Sequence, residues 1–265
     1  MLNLDRPVVM GILNVTPDSF YTKGRDSDVD GLLRNAEKML NQGAKILDIG
    51  GASTRPGSEI SDADDETARV IPVIAAISKR FPEAWLSVDT YHAQVAVEAV
   101  SAGAHIVNDI SSGAIDTTMM QKVAAMHVPY IGMHMQGVPK TMQENPHYEN
   151  VTVEVREGLI NMCQKASDAG ITDVIIDLGF GFGKTVAHNF ELLRNMDTFR
   201  MLGKPILAGL SRKSMICKTL HVNPEHALNG TTALNMVALR QGANILRVHD
   251  VKEAMEVIAL FLAII

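Results

Sequence analysis

Eight short aliphatic runs in the chain each finish in residues able to do chemistry. In order these are Asn14; Asp48, before Gly50 and Gly51; Asp89; Asn108 with Asp109; His134; Asp177; Ser211, Arg212 and Lys213; and Arg247, His249 and Asp250. A run built from Ile and Val has no packing reason to end in a carboxylate, since a buried charge is costly unless paired or hydrogen-bonded. One such ending is ordinary loop capping. Eight in one chain point to a shared site.

The polar residues sort into two chemistries. Asp89, Asn108 and Asp177 supply acceptors and an amide, which suit a neutral heterocycle carrying several N–H groups along one edge. Arg55, Arg247 and His249, with Asn14 as an oxygen ligand, suit a phosphate or diphosphate with a hard divalent cation, because arginine offers phosphate a bidentate fork. Lys213 can serve either group.

Other features are plainer. The stretch from Gly179 to Thr185 is rich in glycine but satisfies neither GxxxxGK[ST] nor GxGxxG, because Leu178 and Lys184 stand where glycine is required. Its Phe182 offers an aromatic face to a flat ring or plugs the loop. His134, between Met133 and Met135, reads as a barrel-interior residue, since no second His or Cys stands at metal-ligand spacing. The acidic run Asp62, Asp64, Asp65 and Glu66 reads as complementing a helix N-terminus, and the 15 methionines mainly as core filler.

The elements that must position these residues alternate. The aliphatic runs lie at 8–15, 44–51, 84–90, 105–111, 129–135, 173–179, 205–211 and 244–250. Segments of helical periodicity separate them, among them 30–41, 65–80, 92–102, 153–168 and 224–240. Gly43, Gly103, Gly170, Gly203 and Gly242 each precede a run, where a left-handed C-cap closes a helix. Eight βα units without a linker predict an α/β fold, a single (β/α)8 TIM barrel over residues 1–265 with its site at the C-terminal ends of the strands. An open doubly wound sheet is the competing layout, but it usually has a glycine-rich first turn, and here the first run leads into Asn14, Val15, Thr16 and Pro17. In a barrel, Arg247 has a second possible role as an internal ion pair with a barrel carboxylate.

Composition agrees. With 265 residues, 46% hydrophobic, 20% charged and only 5% aromatic, the chain suits aliphatic parallel strands covered by helices. A net charge of −6 argues against a broad basic face for nucleic acid. Cys163 and Cys217 are far apart with no CxxC, so packing thiols in a reducing cytoplasm are expected. The apolar C-terminus, 257–265, is too short to span a bilayer.

Taken together, the motifs resemble the dihydropteroate synthases, a folate-pathway family. The resemblance rests on 14–20 (NVTPDSF), Asp48 to Gly51, 53–57 (STRPG), 87–90 (SVDT), 107–110 (VNDI), 133–137 (MHMQG), Asp177 with 179–184 (GFGFGK), 211–214 (SRKS) and 247–250 (RVHD). It runs in family order from the first strand to the last. It implies a TIM barrel, usually a homodimer, that joins 6-hydroxymethyl-7,8-dihydropterin diphosphate to 4-aminobenzoate and releases pyrophosphate. Asp89, Asn108, Asp177 and Lys213 would hold the pterin. Asn14, Arg55, Arg247 and His249 would hold the diphosphate, with Asn14 also binding Mg2+; Thr54, Pro56, Phe182 and Ser211 would border the 4-aminobenzoate. Asp89, Asp177, Lys213 and Asp18 are the catalytic candidates, and inhibition by sulfonamides is expected.

The sequence departs from the family pattern in three places. Tyr21 to Gly24 replace a common Ser-Asp-Gly-Gly, Ala52 stands where Glu is common, and Leu178 stands where Pro is common. Two alternatives stand beside this: a pterin-binding methyltransferase domain, which resembles the family in its pterin pocket but has no need of Arg55, Arg247 and His249 at a diphosphate, and a catalytically silent pterin-binding paralogue, which the loop departures keep open.

Overall fold

The computed structural model describes residues 2–15, 25–51, 62–137 and 141–265, with backbone alone for 25–28. The strands are β1 (Val8–Asn14), β2 (Ile46–Gly50), β3 (Trp85–Asp89), β4 (Ile106–Asp109), β5 (Tyr130–Met133), β6 (Val174–Asp177), β7 (Ile206–Ala208) and β8 (Ile245–Val248). All pair in parallel, in chain order, and β8 returns to β1 to close the barrel. The expected (β/α)8 architecture is the observed one.

Strand side chains alternate between the two faces of the sheet, and here each face has its own composition. Val9, Leu13, Leu47, Ile49, Leu86, Val88, Val107, Ile176, Leu246 and Val248 point outward into the layer shared with the helices. Met10, Ile46, Ile106, Ile131, Ile175, Leu207 and Ile245 point inward and plug the barrel, all but Ile175 without solvent exposure. Burying one such aliphatic side chain stabilises the fold by roughly 1.5–3 kcal/mol. One alternation further along, the inward positions become polar: Asp48 follows Ile46, Asn108 follows Ile106, Asp177 follows Ile175 and Arg247 follows Ile245. The plug is therefore the floor of a polar chamber.

The helices among the described residues are α1 (Arg25–Asn41), α2 (Ala63–Arg80), α3 (Ala93–Ser101), α4 (Met119–Met126), α5 (Val151–Ala169), α6 (Val186–Arg194), α7 (Ser214–Leu220), α8 (Leu228–Arg240) and α9 (Val251–Ile264). The five glycines expected to close helices all have positive φ, from 63° to 116°. Asp62 caps α2, accepting from the backbone N–H groups of Asp64 and Asp65 at 2.9 and 3.3 Å. The helical pattern predicted over 224–240 divides instead into a short 3-10 turn, Pro224–His226, and α8.

Asp64, Asp65 and Glu66 occupy the first turn of α2, as expected of a run that complements a helix N-terminus, and Glu66 is wholly buried there, because α2 packs so closely on Gly51 that a Cβ on it would lie 3.1 Å from Glu66 Cγ. Two expectations need correction. His134 does not fill the barrel interior: it lies outside the sheet under α5, where a Cβ on Gly158 would stand 2.6 Å from its ring. Asp109 faces away from the chamber, and accepts from Ser111 N, Ser111 Oγ, Gly113 N and Tyr130 Oη at 2.7–2.8 Å, tying the turn after β4. Cys163 and Cys217 are partly buried against the outer core, as packing thiols should be. No described helix is long and apolar enough to cross a membrane.

Candidate active site

The chamber opens at the C-terminal ends of the strands, where a pocket is lined by Asn108, Asp177, Lys213, Arg247, Phe180 and Phe182 among others. Its depth follows from strand register. Asp89 lies beside Gly50 and Asn108 on neighbouring strands, and Asp177 beside Met133 and Leu207. Polar side chains from separate strands thus reach one level.

Arg247 organises one wall. Its Nε donates to Asp48 Oδ2 at 2.6 Å and its Nη2 to Asp89 Oδ2 at 2.5 Å. Asn108 Nδ2 donates to the same Asp48 oxygen at 3.1 Å. The sequence groups Arg247 with the diphosphate residues and allows an internal ion pair as its second role; the structure has the ion pair, formed with two carboxylates and inside the acceptor cluster. Nη1 has no partner among the described residues. Burial, opposed by Arg247 and reinforced by Asp48, raises the Asp89 carboxyl to about 7. Burial raises Asp177 too, against the Gly179 N–H that it accepts at 2.8 Å and the nearby Lys213 and Arg247 charges.

Lys213 and Phe182 form the facing wall. The ammonium stands 4.3 Å from the centre of the Phe182 ring, a cation–π contact. Loss of water and the charge of Arg247 lower Lys213 to about 8, while Asp177 and Asp89 pull the other way. Gly181, at φ +82°, lets the loop pass Lys213 closely.

Ser211 and His249 meet at the ends of β7 and β8. Ser211 Oγ lies 3.0 Å from His249 Nδ1 and accepts the His249 backbone N–H at 3.2 Å. Desolvation and the Arg247 charge lower the imidazole below its ordinary range, so it is neutral at pH 7. In the tautomer with Ser211 donating to Nδ1, the ring would carry its proton on Nε2, as a donor for an anion. Asn14 ends β1 beside Gly50 with its side chain exposed. Asp18, Thr54, Arg55 and Pro56 lie outside the described residues.

Two further residues, both inside motifs but given no role by the sequence, support the site. Lys184, 2% exposed, donates to the carbonyls of Gly179, Phe182 and His134 at 2.9–3.1 Å and lies 3.2 Å from His134 Nδ1. It fastens the glycine-rich loop to the end of β5. Arg212 grips Asp250 with both arms of its fork, at 2.7 and 2.9 Å, and donates to the carbonyls of Pro224 and Glu225.

A sequence model of the pterin binding enzyme family matches residues 10–249. The dihydropteroate synthase of Escherichia coli K12 is 46% identical over 257 residues, covering 96% of this chain and 90% of that protein. The chain belongs to the dihydropteroate synthase family.

Solved structures agree. The dihydropteroate synthase of Yersinia pestis, in a sulfonamide drug complex, is 43% identical with a TM-score of 0.93, covering 99% of this chain and 96% of that one. That of Xanthomonas albilineans with 4-aminobenzoic acid is 40% identical with a TM-score of 0.91, covering 99% and 94%.

Proposed function

We propose that the chamber joins 6-hydroxymethyl-7,8-dihydropterin diphosphate to 4-aminobenzoate, giving 7,8-dihydropteroate and pyrophosphate. One observation carries the reading: Asn108, Asp177, Lys213 and Arg247 line one pocket beside two phenylalanine rings. Asp89, Asn108 and Asp177 accept the N–H groups of the pterin edge, and Lys213 donates to its acceptor atoms. Arg247, through its remaining nitrogen, and His249, through Nε2, face the diphosphate with Asn14 and Arg55. Thr54, Pro56, Phe182 and Ser211 border 4-aminobenzoate.

The bond from the pterin methylene carbon to the diphosphate oxygen breaks first, and the oxygen keeps the electron pair. Asp89 and Asp177 stabilise the cation left on the pterin, while Arg247 and Arg55 stabilise charge on the departing pyrophosphate. The amine nitrogen of 4-aminobenzoate then bonds to that carbon, and its surplus proton passes to pyrophosphate or water. Asp18 is the candidate carboxylate of the first loop. No side-chain nucleophile is required.

The described residues offer little to a metal by themselves. Among the described residues no group of three His, Cys, Asp or Glu side chains is arranged to hold one. Asn14 supplies one exposed amide oxygen, which fits Mg2+, an ion that keeps several waters and takes further ligands from substrate phosphates. When bound, Mg2+ supplies charge neutralisation to the leaving diphosphate.

The enzyme is read as a cytoplasmic homodimer; light scattering at twice the chain mass tests the oligomeric state. A pyrophosphate-release assay with pterin diphosphate, run with and without 4-aminobenzoate and Mg2+, tests the reaction. Release that requires both additions supports it. Pterin binding without release favours the silent paralogue. Sulfonamides should compete with 4-aminobenzoate in the same assay.

A further inference from the structure

Asp48 has no solvent exposure and lies below the rim that the substrate-facing residues form. It stands one alternation above the plug residue Ile46, beside Ser87 on β3. Its Oδ2 receives two donors from opposite sides, Arg247 Nε at 2.6 Å and Asn108 Nδ2 at 3.1 Å.

Each contact fixes something the chemistry needs. An asparagine amide can turn over, exchanging its oxygen and nitrogen. Here the nitrogen is committed to Asp48, so the oxygen is the atom presented on the other side; turning the amide would set its oxygen against a carboxylate oxygen. A guanidinium can likewise rotate about its chain. Held at Nε by Asp48 and at Nη2 by Asp89, it has one orientation, with Nη1 without a partner among the described residues.

We propose that Asp48 is a positioning residue for the transfer: its carboxylate presets the Asn108 amide and the Arg247 guanidinium, so the acceptor edge and the phosphate-facing nitrogen are aligned before substrate enters. This rests on the reading of Asn108 and Arg247 as pterin diphosphate residues.

The electrostatics supply an independent readout. The charges that act on Asp89 are Arg247 on β8, Asp48 on β2, Glu66 on α2, Asp109 on β4 and Lys213 after β7. Asp48 is one of the groups that raise Asp89. Neutralising Asp48 while keeping its shape therefore makes Asp89 more acidic, an effect that a packing defect does not produce.

The test compares wild type, Asp48→Asn, Asn108→Ala and the double variant in the full chain, by steady-state kinetics from pH 5 to pH 9. Asp48→Asn should raise KM for pterin diphosphate on the order of tenfold, the scale of a buried partner left unsatisfied. KM for 4-aminobenzoate should stay within about twofold, because that ring lies on the other wall. The acid limb of kcat/KM, which reports the free enzyme, should move to lower pH. The double variant should be little worse than the more severe single one.

A wild-type pterin KM and an unmoved acid limb in Asp48→Asn, with Asn108→Ala impaired, would overturn the proposal while leaving the site reading intact. An unimpaired Asn108→Ala would overturn the site reading, and the proposal with it. Should Asp48→Asn not fold, a crystal structure of wild type with bound pterin decides: contact through Asn108 and Arg247 alone supports positioning, and a direct hydrogen bond from the ring to Asp48 overturns it.

Discussion

Ser211 Oγ and His249 are joined twice, once through the ring nitrogen Nδ1 and once through the backbone N–H. The hydroxyl therefore anchors His249 at two points. Ser211→Ala should weaken pterin diphosphate binding about threefold to tenfold, the net worth of one hydrogen bond. Titration calorimetry with the pterin alcohol, which lacks the diphosphate, should show no loss. An equal loss for both ligands would refute the assignment of His249 to the diphosphate.

Lys184 answers three loop carbonyls with one ammonium. Lys184→Met keeps the length of the side chain and removes every donor. Unsatisfied buried acceptors should cost about 2–4 kcal/mol in all, a fall in Tm of roughly 5–15 °C for a chain of this size. Because Phe182 rides on the same loop, KM for 4-aminobenzoate should rise as well. Thermal melts and kinetics check the two effects separately.

Gly181 stands at φ +82°, and a Cβ there would lie 3.2 Å from Lys213 Cδ. Gly181→Ala should cost about 1–2 kcal/mol of stability through backbone strain and should push Lys213 from its place beside Phe182. Pterin affinity should fall in Gly181→Ala but not fall again when it is added to Lys213→Ala. A full second loss in the double variant would show that the two act independently.

Activity should depend on pH through Asp89 and Lys213. Asp89, raised to about 7, loses its charge below that pH, and Lys213, lowered to about 8, loses its charge above that. The kcat/KM profile should thus be a narrow bell. Stability carries the matching sign. An unfolded Asp89 releases its proton near 3.8 and the folded one near 7, so this group's contribution is present at low pH and is lost as pH rises through that window. Urea midpoints at pH 5 and pH 8 should fall more for wild type than for Asp89→Asn.

Much of the fold and the chamber is legible in the sequence. The alternation of aliphatic runs and helical segments carries the barrel, and the polar run ends carry the chamber, because strand parity is written in the spacing of residues such as Ile175 and Asp177. What the sequence does not carry is partnership across the barrel. Arg247 and Asp48 are 199 residues apart, and only the closing β1–β8 register brings them together. Lys184 is hidden for another reason: its partners are backbone carbonyls, which have no letter in the sequence. Glu66 looks like its solvated neighbours until the close approach of α2 to Gly51 turns it inward.

The step from plug to chamber is two residues, roughly 6.6 Å along a strand. That short interval separates two kinds of selective pressure. The lower aliphatic side chains answer to stability, and the upper Asp, Asn and Arg chiefly to chemistry. Because Asp48, Asn108 and Arg247 hold one another, the upper ring is retuned by coordinated exchange, while the hydrocarbon below keeps the scaffold standing.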